Sequence, residues 1–338
     1  MMADEAGPAE TVSGMLSREA LAMTGGPPAR PPAFHDPRTY VAHAYGERQV
    51  DLGEVTMNYV EAGAASSPAL LLIPGQTESW WGYEKAIGVL AGDFNVFAVD
   101  LRGQGRSTWT PGRYTLDNMG GDLVRFIATV IRRPVVTSGC SSGGLLSAWL
   151  SAYAMPGQLR GAVWEDPPLW ASVPAPLYGP GIEQCIGPLF HLQSTYLGNQ
   201  WRIGAWERLR EAMPQHPSPL MQMIRLPPEP PQNLKEYDPE WGRAFWEGTV
   251  AASCPHETML SQVRVPSLLT HHARHILPDH GILLGALTDL QASKACELVR
   301  AGGGEIEYLS LPDAAHAMHG AEPERFAKVV TEWAGKLV

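Results

Sequence analysis

The 338-residue chain is short of cysteine, short of basic charge and free of long apolar runs. Its four cysteines, Cys140, Cys185, Cys254 and Cys296, show no paired spacing, which argues against a disulfide framework and for reduced thiols. Lys and Arg number 25 against 35 Asp and Glu, a net charge of −10. That balance argues against nucleic acid and against an anionic membrane surface as partners. No stretch is long and apolar enough to span a bilayer. Met1-Met2-Ala3-Asp4-Glu5 lacks the basic and apolar regions of a signal peptide. A soluble, cytoplasmic protein is expected. Hydrophobic residues make up 44%, enough for a sizeable core.

Residues 1–48 are rich in Ala, Gly and Pro and read as an irregular arm. Phe34, His35, Tyr40 and Tyr45 could pin its later part onto the body or onto a second subunit, which leaves a homodimer open. Strand and helix patterns then alternate. Residues 54–60 alternate apolar and polar, while 69–73 and 95–99 are continuously apolar, as strands buried on both faces should be. Helix patterns cover 83–90 and 117–131, and a strand covers 159–164. This order implies a mostly parallel, doubly wound α/β sheet. Between about 169 and 263 the alternation fails and Trp and Pro accumulate, with helix patterns at 204–213 and 239–252. That segment reads as an inserted helical cap. The core, 49–168 and 264–338, resumes with strands at 267–270 and 305–309 and helices at 289–301 and from 322 to about 337.

The chemistry-bearing run is Gly139-Cys140-Ser141-Ser142-Gly143. It follows the apolar strand 133–138, precedes a helix pattern, and reads G-x-S-x-G, a nucleophile elbow. Such a turn lifts Ser141 Oγ above the sheet. It also puts the Ser142 N–H at a helix N-terminus, where an oxyanion is stabilised. The second oxyanion donor belongs on the loop after 69–73, where the Gln76 N–H is the candidate and Gly75 permits close approach. Trp80 and Trp81 would line the pocket mouth, or pack beneath the loop as core. Among cap residues, Trp206 and Trp246 are candidates for substrate contact.

A serine hydroxyl needs a general base, and the base an orienting acid. The base belongs after the last strand, where Pro312 to His319 lies; His316 sits on the loop and is preferred over His319. For the acid, Glu165 and Asp166 stand at a strand end before two prolines. Asp279 and Asp289, after the later strand, are the alternatives, although Asp289 suits a helix N-cap. Two other motifs carry less. Asp100 to Ser107 contains G-x-G, but Thr108 stands where a third small residue should open a helix. His271, His272, His275, Asp279 and His280 match no metal-binding spacing. No cofactor is expected.

Together the Pro74-Gly75-Gln76 loop, Asp100 to Ser107, the Ser141 elbow and the late His316 resemble the α/β-hydrolase superfamily. The Gly-Cys-Ser-Ser-Gly elbow, the acids at 165–166, Ser79-Trp80-Trp81, residues 102–110 and 233–241 look more narrowly like bacterial zearalenone lactone hydrolases. That resemblance implies an acyl-enzyme on Ser141, a small apolar lactone as substrate, and a triad whose acid is Glu. Counting from Ser141 places the acid at Glu165; anchoring on Arg160-Gly161-Ala162 places it at Asp166. Successive strand residues face opposite ways, so only one can meet His316. Residue type favours Glu165. Within the superfamily, epoxide hydrolases and haloalkane dehalogenases carry Asp at the elbow, which Ser141 disfavours. A carboxylesterase, a carbon–carbon hydrolase, a haloperoxidase or a ligand receptor on the same fold remains open.

Overall fold

The uninterrupted apolar runs become the middle of one sheet. β3 (Ala69–Ile73), β4 (Asn95–Val99) and β5 (Val135–Cys140) are buried at every position, as strands sandwiched between helix layers must be. The structure, a computed structural model, describes residues 42–172, 183–184, 186–198 and 205–337. Its main sheet has eight strands. They run in the order β1 (Arg48–Asp51), β2 (Thr56–Ala62), β4, β3, β5, β6 (Leu159–Glu165), β8 (Ser267–His271), β11 (Ile306–Ser310). β1 and β2 are antiparallel additions at one edge, and the remaining pairs are parallel. β1 is exposed at most positions, so no core alternation announced it.

Period-two alternation divides each central strand between two layers. Leu71 and Ile73 face α2 (Leu116–Phe126) and α3 (Ser142–Tyr153), packing with Leu123, Phe126 and Leu146. Leu70 and Leu72 face α1 (Glu84–Leu90) and α12 (Pro323–Ala334), packing with Ile87, Phe326 and Val330. The helix expected over 117–131 ends as an α-helix at Phe126 and finishes in a wider turn, Ile127–Ile131. α10 (Asp289–Ala301) is capped by Thr288, whose side chain and that of Gln291 form a reciprocal capping box. Asp289 is therefore the first helical residue and not the cap.

Residues 1–41 of the expected arm, with Phe34, His35 and Tyr40, lie outside the described residues, as do Cys185 and Trp201. The arm's last described residues sit on the body. Tyr45 packs edge-on to Trp80, His43 stacks on Trp81, and Glu47 accepts the Trp80 indole N–H at 2.8 Å.

Within the expected cap, 169–263, the described residues include the helices α4 (Ile186–Tyr196), α5 (Ala205–Ala212), α6 (Pro219–Met223), α7 (Gln232–Lys235) and α8 (Pro239–Trp246), together with one short strand. α9 (His256–Ser261), inside the expected cap boundary, packs against α3 and α10 of the core instead. A second sheet of three short strands joins β7 (Glu183–Gln184), β10 (Ile282–Leu284) and β9 (His275–Leu277). β9 and β10 form a hairpin between β8 and α10, where the sequence predicts no strand.

Candidate active site

The elbow forms because two glycines let chain segments meet at backbone distance. A Cβ on Gly139 would lie 2.1 Å from the Gly143 carbonyl oxygen, and one on Gly143 would lie 2.1 Å from that of Ile73. Ser141 sits between β5 and α3 with φ 55° and ψ −120°, a backbone strained for any side chain. Its N–H donates to the Glu165 carbonyl at 2.8 Å, locking the turn to the end of β6. Ser142 opens α3, so its N–H has no partner within the helix. Gly75 lies alongside: a Cβ there would come 3.2 Å from Ser141 Cβ. The loop carrying Gln76 is thus pressed against the elbow.

His316 follows β11 on the expected loop. Its Nδ1 lies 2.6 Å from Asp166 Oδ2. A carboxylate only accepts, so Nδ1 carries the proton and Nε2 is left as the basic nitrogen. The Asp166 Oδ1 accepts the backbone N–H of His272 at 3.1 Å, and its own N–H donates to the Thr270 carbonyl. His272 donates from Nδ1 to the Ala315 carbonyl at 2.8 Å, which braces the His316 loop. It was noticed in the sequence only as part of an untrusted metal cluster. Burial works against the charge of Asp166, but the hydrogen bond and charge of His316, then His272, hold its carboxyl below the usual range. Lost solvation works against a charge on His316, but the Asp166 hydrogen bond and charge, with Glu78 and Glu165, outweigh it and raise its pKa.

The preference for Glu165 is corrected by this geometry. Glu165 is in phase with Val163, which packs on the layer of Tyr83 and Phe326. Period two sends its carboxylate to that face, where it meets His319: Nδ1 lies 3.0 Å from Glu165 Oε2. Asp166 leaves the strand at φ 43°, and this left-handed step turns its side chain to His316. Asp289, the other acid considered, pairs with Arg274 at 2.6 Å on the surface, and Asp279 is exposed in the β9–β10 turn.

Ser141, Ser142 and His316 open onto a cavity of about 290 Å³. Its walls are Phe190, Phe245, Ile186, Leu284, Ala286 and Pro168. Phe190 and Phe245 meet edge to face with centroids 5.0 Å apart. None of the four tryptophans chosen from sequence is on these walls. Trp80 is buried with its indole on Glu47, and Trp81 stacks on His43. Trp206 is buried in the cap and donates to the Pro227 carbonyl at 3.0 Å. Trp246 is 48% exposed and stacks on His191. The helical period supplied the missed signal: on α8 it groups Phe245 with Trp241 and Gly242 on the buried face and turns Trp246 out.

The Gly75–Gln76 loop is held from two sides. Gln104 Nε2 donates to the Gly75 carbonyl at 2.8 Å, and Gly75 N–H donates to Glu78 Oε2 at 2.8 Å. From the cap, Tyr237 OH accepts from Gln76 Nε2 at 2.7 Å, and Asn233 Nδ2 donates to the Thr77 carbonyl at 2.8 Å. The Asp100 to Ser107 motif is therefore structural. Asp100 accepts backbone N–H groups of Trp80 and Arg106, and a Cβ on Gly105 would collide with its carboxylate at 2.2 Å. Burial pushes the Asp100 pKa up to about 6.

One group among the described residues has metal-ligand geometry. Donor atoms of Cys140, Glu165 and His319 lie within 4.8 Å of one another. The Glu165 and His319 donors already bond each other, and burial pushes the Cys140 thiol up, away from the thiolate a metal requires. These residues do not fit a metal. No helix among the described residues is long and apolar enough to cross a membrane.

Comparison with known proteins agrees with this architecture. Residues 70–329, well over half of the chain, match the model of the Alpha/beta hydrolase family. The enol-lactonase of Burkholderia xenovorans LB400 superposes with a TM-score of 0.60 at 18% identity, covering 85% of this chain and all of that one. Among curated relatives, 3-oxoadipate enol-lactonase 2 of Acinetobacter baylyi is 28% identical over 124 residues, 36% of this chain and 42% of that protein. Epoxide hydrolase 4 of Mus musculus is 31% identical over 130 residues, 38% of this chain and 35% of that protein. The chain thus spans less than half the length of these curated relatives. With its parallel sheet, its glycine-flanked elbow and this match, the chain belongs to the alpha/beta hydrolase family.

Proposed function

We propose that this hydrolase opens a lactone, by way of an acyl-enzyme on Ser141. The observation that carries the reading is the 2.6 Å contact of His316 Nδ1 with Asp166, at a cavity Ser141 and His316 share. With Nδ1 protonated, His316 Nε2 takes the Ser141 proton as Oγ attacks the ring ester carbonyl. The N–H groups of Ser142 and Gln76 receive the oxyanion. The imidazolium, stabilised by Asp166, then protonates the leaving ring oxygen, which stays tethered to the acyl group. Water attacks the acyl-enzyme by the same base and frees a hydroxy acid.

The walls of the cavity are aliphatic and aromatic, and no Lys or Arg is among the described lining residues. This favours a neutral, apolar acyl group over a carboxylate-bearing one. The macrolactone zearalenone is such a substrate, and the resemblance of the elbow and of residues 233–241 selects it for the first test. Loss of zearalenone is followed by chromatography with mass detection for wild type and Ser141→Ala. The expected result is a product heavier by one water, or its decarboxylated form, that the variant does not make. No loss with wild type, alongside turnover of other lactones or p-nitrophenyl esters, would overturn the zearalenone assignment. Loss that persists in Ser141→Ala would overturn the nucleophile.

A further inference from the structure

His319 and Glu165 take no part in the mechanism above, yet they are fully buried beside it. His319 Nδ1 lies 3.0 Å from Glu165 Oε2, and its backbone N–H donates to Glu165 Oε1 at 3.1 Å. On the other side of the ring, Nε2 lies 3.8 Å from Glu78 Oε2. The ring is fixed flat against Tyr83, with centroids 3.9 Å apart, and edge-on to Phe326. Tyr83 OH in turn donates to the Ile73 carbonyl and accepts the Cys140 N–H, bridging the ends of β3 and β5. The same Glu78 oxygen accepts the Gly75 N–H at 2.8 Å.

We propose that Glu165, His319 and Glu78 form a carboxylate–imidazole–carboxylate chain, buried at Glu165 and His319 and half-buried at Glu78, that positions the oxyanion loop, with His319 and Glu78 as positioning residues for acyl transfer. This rests on the serine-hydrolase reading of the site. The chain ends on the amide preceding the peptide plane that carries the Gln76 N–H. That plane is rigid, and Gln104 holds its other end, the Gly75 carbonyl. Gln104 pulls the carbonyl one way, so the Gln76 N–H must point the other way. Glu78 fixes the residue about which the plane would otherwise turn.

The groups facing His319 are Glu165 from β6, Glu78 from the loop, Tyr83 before α1, Cys140 from β5 and His316 from its own loop. Burial opposes a charge on its ring and His316 adds repulsion, but Glu165 and then Glu78 outweigh both and raise its pKa. His319 Nδ1 donates to the Glu165 carboxylate, while Glu78 Oε2, 3.8 Å from Nε2, is held by charge attraction and not by a hydrogen bond. Buried ions contribute little net stability against a well-packed apolar alternative. Here they end at a glycine pressed against Ser141, which gives the arrangement a use other than stability.

The test is the rate at which a small alkyl fluorophosphonate labels Ser141. The Ser141 Oγ–P bond forms as His316 Nε2 takes the Oγ proton, the P–F bond breaks and fluoride leaves, and the phosphoryl oxygen occupies the oxyanion site. Rates are measured over a pH series and compared on the high-pH plateau of each variant. Glu78 is 28% exposed, so Glu78→Ala is the main variant, and Glu78→Gln, which keeps an acceptor for Gly75 N–H, is its conservative control. Expected for Glu78→Ala is labelling roughly 10–100-fold slower, partial recovery in Glu78→Gln, and an unchanged KM for a p-nitrophenyl ester. His319→Gln should slow labelling to a similar extent. Wild-type labelling rates in a folded Glu78→Ala, or an effect confined to KM, would overturn the proposal. If Glu78→Ala does not fold, Glu78→Gln decides: a slowed rate supports the chain and a wild-type rate overturns it. A wild type that is not labelled at all would overturn the serine-hydrolase reading and this chain with it.

Discussion

Glu165 and Asp166 are neighbours in the chain and serve different histidines. Glu165 bonds His319 on the α1 and α12 side of the sheet, while Asp166 bonds His316 at the cavity. The two acids therefore make separable predictions. Asp166→Asn, which keeps the shape but lets the wrong imidazole tautomer form, should lower kcat on the order of 10³–10⁴-fold. Glu165→Ala should instead cost about 3–5 kcal/mol in denaturant unfolding, because it leaves a buried partner uncompensated. Equal losses of kcat without a difference in stability would reverse the assignment.

The pH dependence follows from His316. It must be neutral to accept the Ser141 proton, and its pKa is raised above 6.5. The rate is therefore lost as pH falls through that raised value, and kcat/KM should still be climbing above pH 6.5. Stability runs the other way. The raised His316 contributes fully below 6.5, and its contribution is lost as pH rises through the folded pKa. Asp166, held low, contributes above 3.8 and loses its contribution as pH falls through its own folded value. The pair thus stabilises most between 3.8 and 6.5, below the range where the enzyme works best. A pH–rate profile beside thermal unfolding at each pH checks both signs.

The cavity walls give a third test. Leu284→Trp should narrow the cavity and raise KM roughly tenfold for a bulky lactone, about 1.4 kcal/mol, while sparing p-nitrophenyl acetate. Trp246→Ala, on the cap surface, should leave unfolding within about 0.5 kcal/mol and both KM values unchanged. A large rise in KM from Trp246→Ala would return that residue to the substrate site.

Tyr237→Phe removes the only hydroxyl that meets the Gln76 amide among the described residues. Among the described residues Gln76 Oε1 has no partner, so the variant leaves a second buried polar atom of that amide unmatched there. The cost should be about 1–3 kcal/mol in unfolding, with a fall in kcat and little change in KM. Unaltered kcat would mean that the loop keeps its place without the cap.

How much of this was legible in the sequence depended on whether a local rule decided the outcome. The runs 69–73 and 95–99 could only be strands buried on both faces, and they are. The elbow was legible because glycine spacing, strand and helix agreed within one short segment. The acid was not: period two said only that one of the two carboxylates faces His316, residue type favoured Glu165, and the φ of 43° that turns Asp166 to His316 has no local signature. The pocket walls were not legible either. Tryptophans drew attention by size, while the decision lay with the buried faces of α4 and α8 and with a hairpin whose strands have three residues each. His319 looked like a spare copy of His316, because nothing local told it that Glu165 would arrive from 154 residues away.

The cap and the oxyanion loop are not independent parts. Asn233 and Tyr237 hold Thr77 and Gln76, and the Asp238 N–H donates to the Gly103 carbonyl at 2.8 Å. Exchanging caps between relatives to change substrate range would therefore also exchange the fastenings of the catalytic loop. A graft that ends before Gln232, or one that carries 233–238 together with its loop partners, would keep these fastenings while the walls on α4 are exchanged. The walls on α4 and the β9–β10 hairpin make none of these bonds, so they are where substitutions can reshape the cavity without loosening the loop.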